Sequence, residues 1–294
     1  MTKRAFALVL LGGAAILAAT YALPPEEPIL PKLSREQCRE AAARFLGVAA
    51  NELAGGGNAA VWEMPTAARP PRYGFRLAYP PEVDVDEALR LAGRALVVVD
   101  GWSGEVVTAE YEGRRYEIGD KHLDEKEARA IAATYLEHHW VHWPRARFLS
   151  ATEPVRFPPA SGSARAPEQS LRWVVEENGI RTGNADVTLN LSTGEVIGYA
   201  QHYYSAEGLG PARLNREQAV GRGLAWLAAG RWGAAHSTEA YLATRWRNGR
   251  VQLVWSVWLR VSTQPVGPGG SPAPQYGVTL DAYTGEVLSE VIPG

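Results

Sequence analysis

Cysteine is almost missing from this chain of 294 residues: Cys38 is its sole thiol. One thiol cannot close an intramolecular disulfide, and it cannot build a cysteine-rich metal site. A strong charge of either sign is missing too. The formal net charge is −2, which sets nucleic acid aside as a partner, because phosphate backbones are held by basic surfaces. Lysine is scarce. Lys3, Lys32, Lys121 and Lys126 are the whole set, so arginine supplies nearly all the positive charge. That bias reads as genome composition or thermal adaptation and carries no function. Neither H-E-x-x-H nor the nucleophile elbow G-x-S-x-G occurs. Gly55-Gly56-Gly57 is followed by no Lys-Ser pair, so it reads as a loop and not as a phosphate cradle.

What is present begins with the balance of a soluble globular protein, 46% hydrophobic and 21% charged residues. The first residues stand apart. Thr2-Lys3-Arg4 carries positive charge, Ala5 to Ala22 is apolar or small throughout, and Pro24-Pro25-Glu26-Glu27 ends the run. A helix of that length reaches ~27 Å, slightly short of a hydrocarbon core of ~30 Å. Residues 1–22 are therefore expected to be a signal peptide or a short membrane anchor, cleavable after Thr20-Tyr21-Ala22 or retained. Either way the remainder is expected to be extracytoplasmic, secreted or anchored by residues 5–22, with membrane contact through that segment alone.

Beyond it, one phrase is written three times. It opens with a helix-start signal at Leu33-Ser34, Leu123-Asp124 and Leu214-Asn215, and closes with a turn at Ser103-Gly104-Glu105-Val106, Thr193-Gly194-Glu195-Val196 and Thr284-Gly285-Glu286-Val287. From each leucine to its turn glycine is 71 residues in all three copies. A span of that length held three times marks a tandem array.

Each copy starts with a helix. Ser34, Asp124 and Asn215 are good N-caps, and Gln37, Glu127 and Gln218 three residues on complete capping boxes. Cys38, Ala41, Ala42, Phe45 and Leu46 then form an apolar stripe, repeated by Ala128, Ile131, Ala132, Tyr135 and Leu136. Cys38 aligns with Ala128 and Ala219, so it reads as a small core residue. The third copy is degraded by Arg222 and Gly223. Strands follow: Val61 to Met64, Arg147 to Ser150 and Tyr241 to Trp246; then Tyr73 to Leu77, Leu171 to Val175 and Leu253 to Leu259. Each copy ends in a hairpin whose first strand is Leu96 to Asp100, Val187 to Leu191 or Val278 to Ala282. Asp100, Asn190 and Asp281 can bond the turn backbone, while Gly104, Gly194 and Gly285 supply the positive φ.

The expected fold is α+β: three tandem modules, each one helix packed on an antiparallel sheet of about three or four strands, after an N-terminal hydrophobic helix. The boundaries expected are a linker at 23–32, module one at 33–112, a linker at 113–122, module two at 123–205, a linker at 206–213 and module three at 214–294. Loops rich in Pro, Gly and Ser are expected at Pro154 to Pro167 and Thr263 to Pro274.

A helix first, a sheet second and a closing V-x-[DN]-x-x-[ST]-G-E-[VI] resemble the PepSY superfamily. Val98 to Val106 carries the motif, with copies at Leu189 to Val196 and Leu280 to Val287. Three such units behind an apolar segment look like tandem-repeat proteins of the YcdB/YcdC repeated-domain or YpeB-like type. The resemblance implies an extracytoplasmic, non-catalytic module that restrains or stabilises a secreted protease or cell-wall hydrolase. It supplies no catalytic residues. Propeller blades that share the D-x-x-T-G-x-V hairpin are all-β with a period of roughly 40 residues, which the capped helix and the wide spacing here contradict.

Two sets of side chains invite a chemical reading. His138 and His142, with His139 between them, would share a helix face as a metal pair if the helix continued. Trp140, Val141, Trp143 and Pro144 signal that it ends, and helix-C-terminal histidines are the simpler reading. The turn acids could be read as paired carboxylates, yet Asn190 in the middle copy fits a turn-bonding oxygen and not a general acid. Of the ten tryptophans, Trp255 and Trp258 should face opposite ways on one strand, and Trp102 sits in a turn. Most read as core, and any exposed ones as a binding face. The expectation is a protein without catalytic, cofactor-binding or metal residues. It binds an extracytoplasmic protein (a protease or wall hydrolase) or a wall component. The rival readings are a metal-dependent enzyme or metal-binding protein using His138, His139 and His142, and a structural spacer at the cell surface.

Overall fold

The computed structural model describes residues 32–54, 72–80, 82–84, 93–155, 166–230, 235–247, 249–261 and 275–291. The N-terminal run, the glycines at 55–57, the strand expected from Val61 to Met64, and most of both Pro/Gly-rich loops lie outside them. Among the described residues, no helix is long and apolar enough to cross a membrane.

The three capped helices form where their local signals stand. They are α1 (Arg35–Leu46), α3 (Glu125–His139) and α4 (Arg216–Ala229). In each, the cap side chain accepts from the backbone N–H three residues on, and that residue's side chain accepts from the cap N–H. A fourth helix, α2 (Glu112–Arg115), occupies the stretch expected to be a linker.

The strands are β1 (Leu53–Ala54), β2 (Arg72–Leu77), β3 (Ala95–Asp100), β4 (Val106–Glu110), β5 (Ala146–Ala151), β6 (Glu168–Glu177), β7 (Ile180–Asn190), β8 (Val196–Tyr203), β9 (Ala235–Arg247), β10 (Arg250–Val261), β11 (Gln275–Asp281) and β12 (Val287–Val291). Here the expected fold is corrected. The strands do not form three separate sheets of three or four strands. All twelve belong to one mixed sheet. Two seams join it. Strand β4 pairs antiparallel with β8, with Thr108 opposite Ala200 and Ala109 opposite Tyr199. The start of β7 pairs parallel with β9 at Ile180↔Leu242 and Arg181↔Ala243. Thr244 strengthens the second seam by donating its hydroxyl to the Tyr204 carbonyl at 2.6 Å. The physical reason is the edge of each repeat. A lone four-stranded sheet would leave a row of unpaired N–H and C=O groups on its last strand; β4 and β8, the last strands of the first two copies, partly satisfy that row for each other, while β12 of the third copy ends the sheet.

The 71-residue span has a structural cause. The leucine that opens each phrase donates its backbone N–H to the carbonyl of the residue after the turn Asp or Asn: Leu33 to Gly101 at 2.9 Å, Leu123 to Leu191 at 3.3 Å, Leu214 to Ala282 at 3.1 Å. Each helix start is thus tied to the turn that closes its own copy. The turns match as well. Asp100, Asn190 and Asp281 each accept two backbone N–H groups through Oδ1, and Gly104, Gly194 and Gly285 have φ of 77°, 79° and 74°. The return strands carry one bulge each at the same place, at Val107, Ile197 and Leu288, opposite the steps from Val98 to Val99, Thr188 to Leu189 and Thr279 to Leu280.

Two cores cover the helix side. The first merges α1 and α3 over β2 to β8 and includes Phe75, Val97, Val99, Leu136, Leu171, Trp173, Val187 and Tyr199. The second sets α4 on β10 and β11 through Leu227, Trp255, Val257, Leu259 and Leu280. The residues that look degraded in the third copy have work here. Arg222 donates to the Thr284 carbonyl at 2.9 Å. Gly223 is buried so close to the sheet that a Cβ would sit 3.2 Å from Val257.

Candidate ligand-binding groove

Strand alternation decides what faces away from the helices. In β6, Leu171, Trp173 and Val175 enter the first core, so Arg172 and Val174 point to the other side. Their partners across the sheet continue the rows. Arg172 stands opposite Asp186, Asp186 opposite Ala200, and Ala200 opposite Thr108. Val174 stands opposite Asn184, and Asn184 opposite His202. From β9, Leu242 packs on the second core, leaving Tyr241, Ala243 and Arg245 for the opposite side. These rows meet around a cavity of about 420 Å³ that also takes in Arg72, Arg181 and Trp258. Trp258 and Trp255 do face opposite ways, since Trp255 is buried with its indole N–H donated to the Leu214 carbonyl.

A second cavity of about 240 Å³ adjoins the first, and Val107, Gln201 and His202 line both. Its walls are aromatic. Trp102 from the first turn meets Trp246 from the end of β9 edge-on at 5.0 Å between centroids. Tyr204 lies 6.3 Å from Trp246, and His142 stacks on Tyr203 at 3.7 Å. Lys32 sits over the Trp102 ring at 4.6 Å. The two adjoining cavities, one basic and one aromatic, have walls from all three repeats and are taken together as one groove.

The basic end holds Arg72, Arg172, Arg181 and Arg245. Two of them have acids. Arg172 grips Asp186 with two hydrogen bonds, at 2.6 and 3.1 Å, which raises its own pKa against the cost of burial. Arg181 pairs with Glu239 at 2.5 Å and lies over the Tyr241 ring. Within the same field, His202 is held down at about 4, first by burial and then by Arg245, Arg72 and Arg172. It is neutral at physiological pH. Three buried polar atoms along the groove have no hydrogen-bond partner within the described protein: Arg72 Nε, Gln201 Oε1 and Trp246 Nε1. They are three of twelve such atoms among the described residues; buried polar groups nearly always find partners, and these three share one depression.

The histidines singled out in the sequence are not brought together as a metal pair. The helix ends at His139, so His138 and His142 are not one turn apart on it. His138 is exposed and 2.7 Å from the Thr134 carbonyl, His139 leans on Phe45 and Tyr135, and His142 joins the aromatic end of the groove. Among the described residues, no group of three or more His, Cys, Asp or Glu has metal-holding geometry. His142 Nε2 lies 3.7 Å from Glu105. The contact is no ion pair at neutral pH, because burial and then Arg145 hold His142 below the usual histidine range. Burial is also the main cause that raises the Glu105 carboxyl. Asp100, Gly104, Asn190, Gly194, Asp281 and Gly285 stand in their turns as the motif requires. Sequence reasoning missed Arg72, Arg172, Arg245 and His202. The signal available was Arg172 set between Leu171 and Trp173 in the otherwise apolar run Leu171 to Val175.

No family model matches the sequence, and none of the curated proteins matches it. Among solved structures, the chain is similar to the C-terminal domain of YpeB from Bacillus megaterium, at 12% identity and a TM-score of 0.41, over 90% of this chain and 100% of that one. It also matches a candidate lipoprotein from Clostridium difficile 630, at 12% identity and a TM-score of 0.20, over 59% and 95% of the two chains. Both likenesses are distant, and neither bears on what this chain binds.

Proposed function

We propose that this is a non-catalytic extracytoplasmic binding protein whose contact site is the two-ended groove. The observation that carries the reading is the convergence of Arg72, Gln201 and Trp246, each with a buried unpaired polar atom, along a depression built from all three repeats. Aromatic walls beside fixed charges are the composition of recognition surfaces. Two carboxylates of the groove are held in place: Glu105 accepts from Gln201, and Asp186 is held by Arg172 and Asn184. The extracytoplasmic setting is supported by the apolar run of residues 5–22. The partner class favoured is a secreted protein, a protease or wall hydrolase that the groove restrains, or a component of the wall.

The test is capture from an envelope fraction with the full chain and with Trp102→Ala/Trp246→Ala side by side. The reading expects a partner retained by the parent and lost from the variant while both melt alike. A partner held equally by both would place the contact elsewhere and end the reading.

A further inference from the structure

Charge is unbalanced at the basic end of the groove. Arg172 and Arg181 each have a carboxylate. Arg72 and Arg245 have none within ion-pair distance among the described residues. Arg245 donates to the Ser289 hydroxyl at 3.4 Å, and Arg72 Nε is buried without a hydrogen-bond partner among the described residues. Among the described residues, two guanidinium groups without a carboxylate thus line one cavity of about 420 Å³. Placing like charges together beside a partly buried imidazole costs stability, and nothing in the packing returns it. Guanidinium forks are matched to oxyanions, which accept their paired N–H groups in a plane.

We propose that Arg72, Arg172 and Arg245 form a site for a doubly charged oxyanion group, such as a phosphate monoester, carried by the ligand of this groove. The proposal rests on the reading of the groove as a ligand site and names the chemistry of one end of that ligand. Two unpaired arginines call for two negative charges, while Arg172 stays oriented by Asp186 and can share its outward N–H groups. The uncharged part of the ligand lies toward Trp102, Trp246 and Tyr204, where flat or apolar groups stack. His202 stands at the junction and reports occupancy of the basic end.

Binding is tested on the full chain by calorimetric titration with inorganic phosphate, glycerol phosphate and succinate, at constant ionic strength set by chloride. Saturable binding of the phosphates is expected, weakened roughly tenfold or more in Arg72→Met and in Arg245→Met. Succinate binding as tightly as phosphate would assign the dianion to a dicarboxylate source; weaker succinate binding assigns it to phosphate. In the unmutated chain, phosphate should also move the His202 ring resonances and leave those of exposed His122 in place, a readout that needs no variant to fold. No saturation below roughly 10 mM, or variants that bind as the parent does, would overturn the site. If the site fails while Trp102→Ala/Trp246→Ala still abolishes partner capture, this inference falls alone and the groove reading stands.

Discussion

Asn190 donates its side-chain amide to the carbonyl of Glu117 at 2.7 Å, and to that of Arg114 at 2.9 Å. The same side chain accepts from Ser192 and Thr193 in the turn. Asn190 is fully buried, and it locks the α2 stretch onto the middle turn. This explains why the middle copy has an amide where the outer copies have carboxylates: donors are needed as well as an acceptor.

Asn190→Asp should therefore destabilise the chain by about 2–3 kcal/mol, since a buried carboxylate would face two carbonyl oxygens. Asp281→Asn, whose Oδ1 accepts from turn N–H groups, should cost under ~1 kcal/mol. Urea denaturation midpoints of the two variants check the contrast. Equal losses would remove the explanation.

Gly104 carries a second expectation. Its φ is 77°, and a Cβ there would lie 2.9 Å from Leu33 Cδ1. Gly104→Ala should cost about 1–2 kcal/mol from the left-handed backbone and the crowding together. Adding Leu33→Ala should return the crowding part, so the double variant should be less destabilised than the sum of the singles.

The depressed pKa of His202 has a stability consequence with a definite sign. The unfolded chain takes up the proton near 6.5 and the folded chain only near 4. The stability contribution is therefore whole above pH 6.5 and is lost as pH falls from there to about 4, by on the order of 3 kcal/mol. Denaturation at pH 7 and pH 4.5 should show a steeper loss for the parent than for His202→Asn. Parallel losses would mean that His202 titrates freely in the folded state.

The local devices were legible in the residues. Capping boxes at Ser34, Asp124 and Asn215 and turns at Gly104, Gly194 and Gly285 involve neighbours three or four apart, so short-range chemistry specifies them. The joining of the sheets was not legible. Whether the edge at β4 meets β8 depends on twist and reach, and Thr108 and Ala200 carry no mark of their pairing. Helix α2 was missed because four residues offer no periodicity. The groove was missed because Arg72, Arg172 and Arg245 are far apart in the chain, and each alone reads as an ordinary solvent-facing charge. Arg222 looked like decay of the repeat because its partner, the Thr284 carbonyl, lies at the other end of the copy.

The groove exists only if the repeats share one sheet, and the Tyr111 amide, beside β4, tests that. It donates to the Ile197 carbonyl of β8 at 3.0 Å, a bond that separate sheets would not make. Amide hydrogen exchange should find Tyr111 protected to the same degree as core amides of β7. Exchange of Tyr111 at the rate of a free peptide, with β7 still protected, would contradict the continuous sheet and the groove built on it.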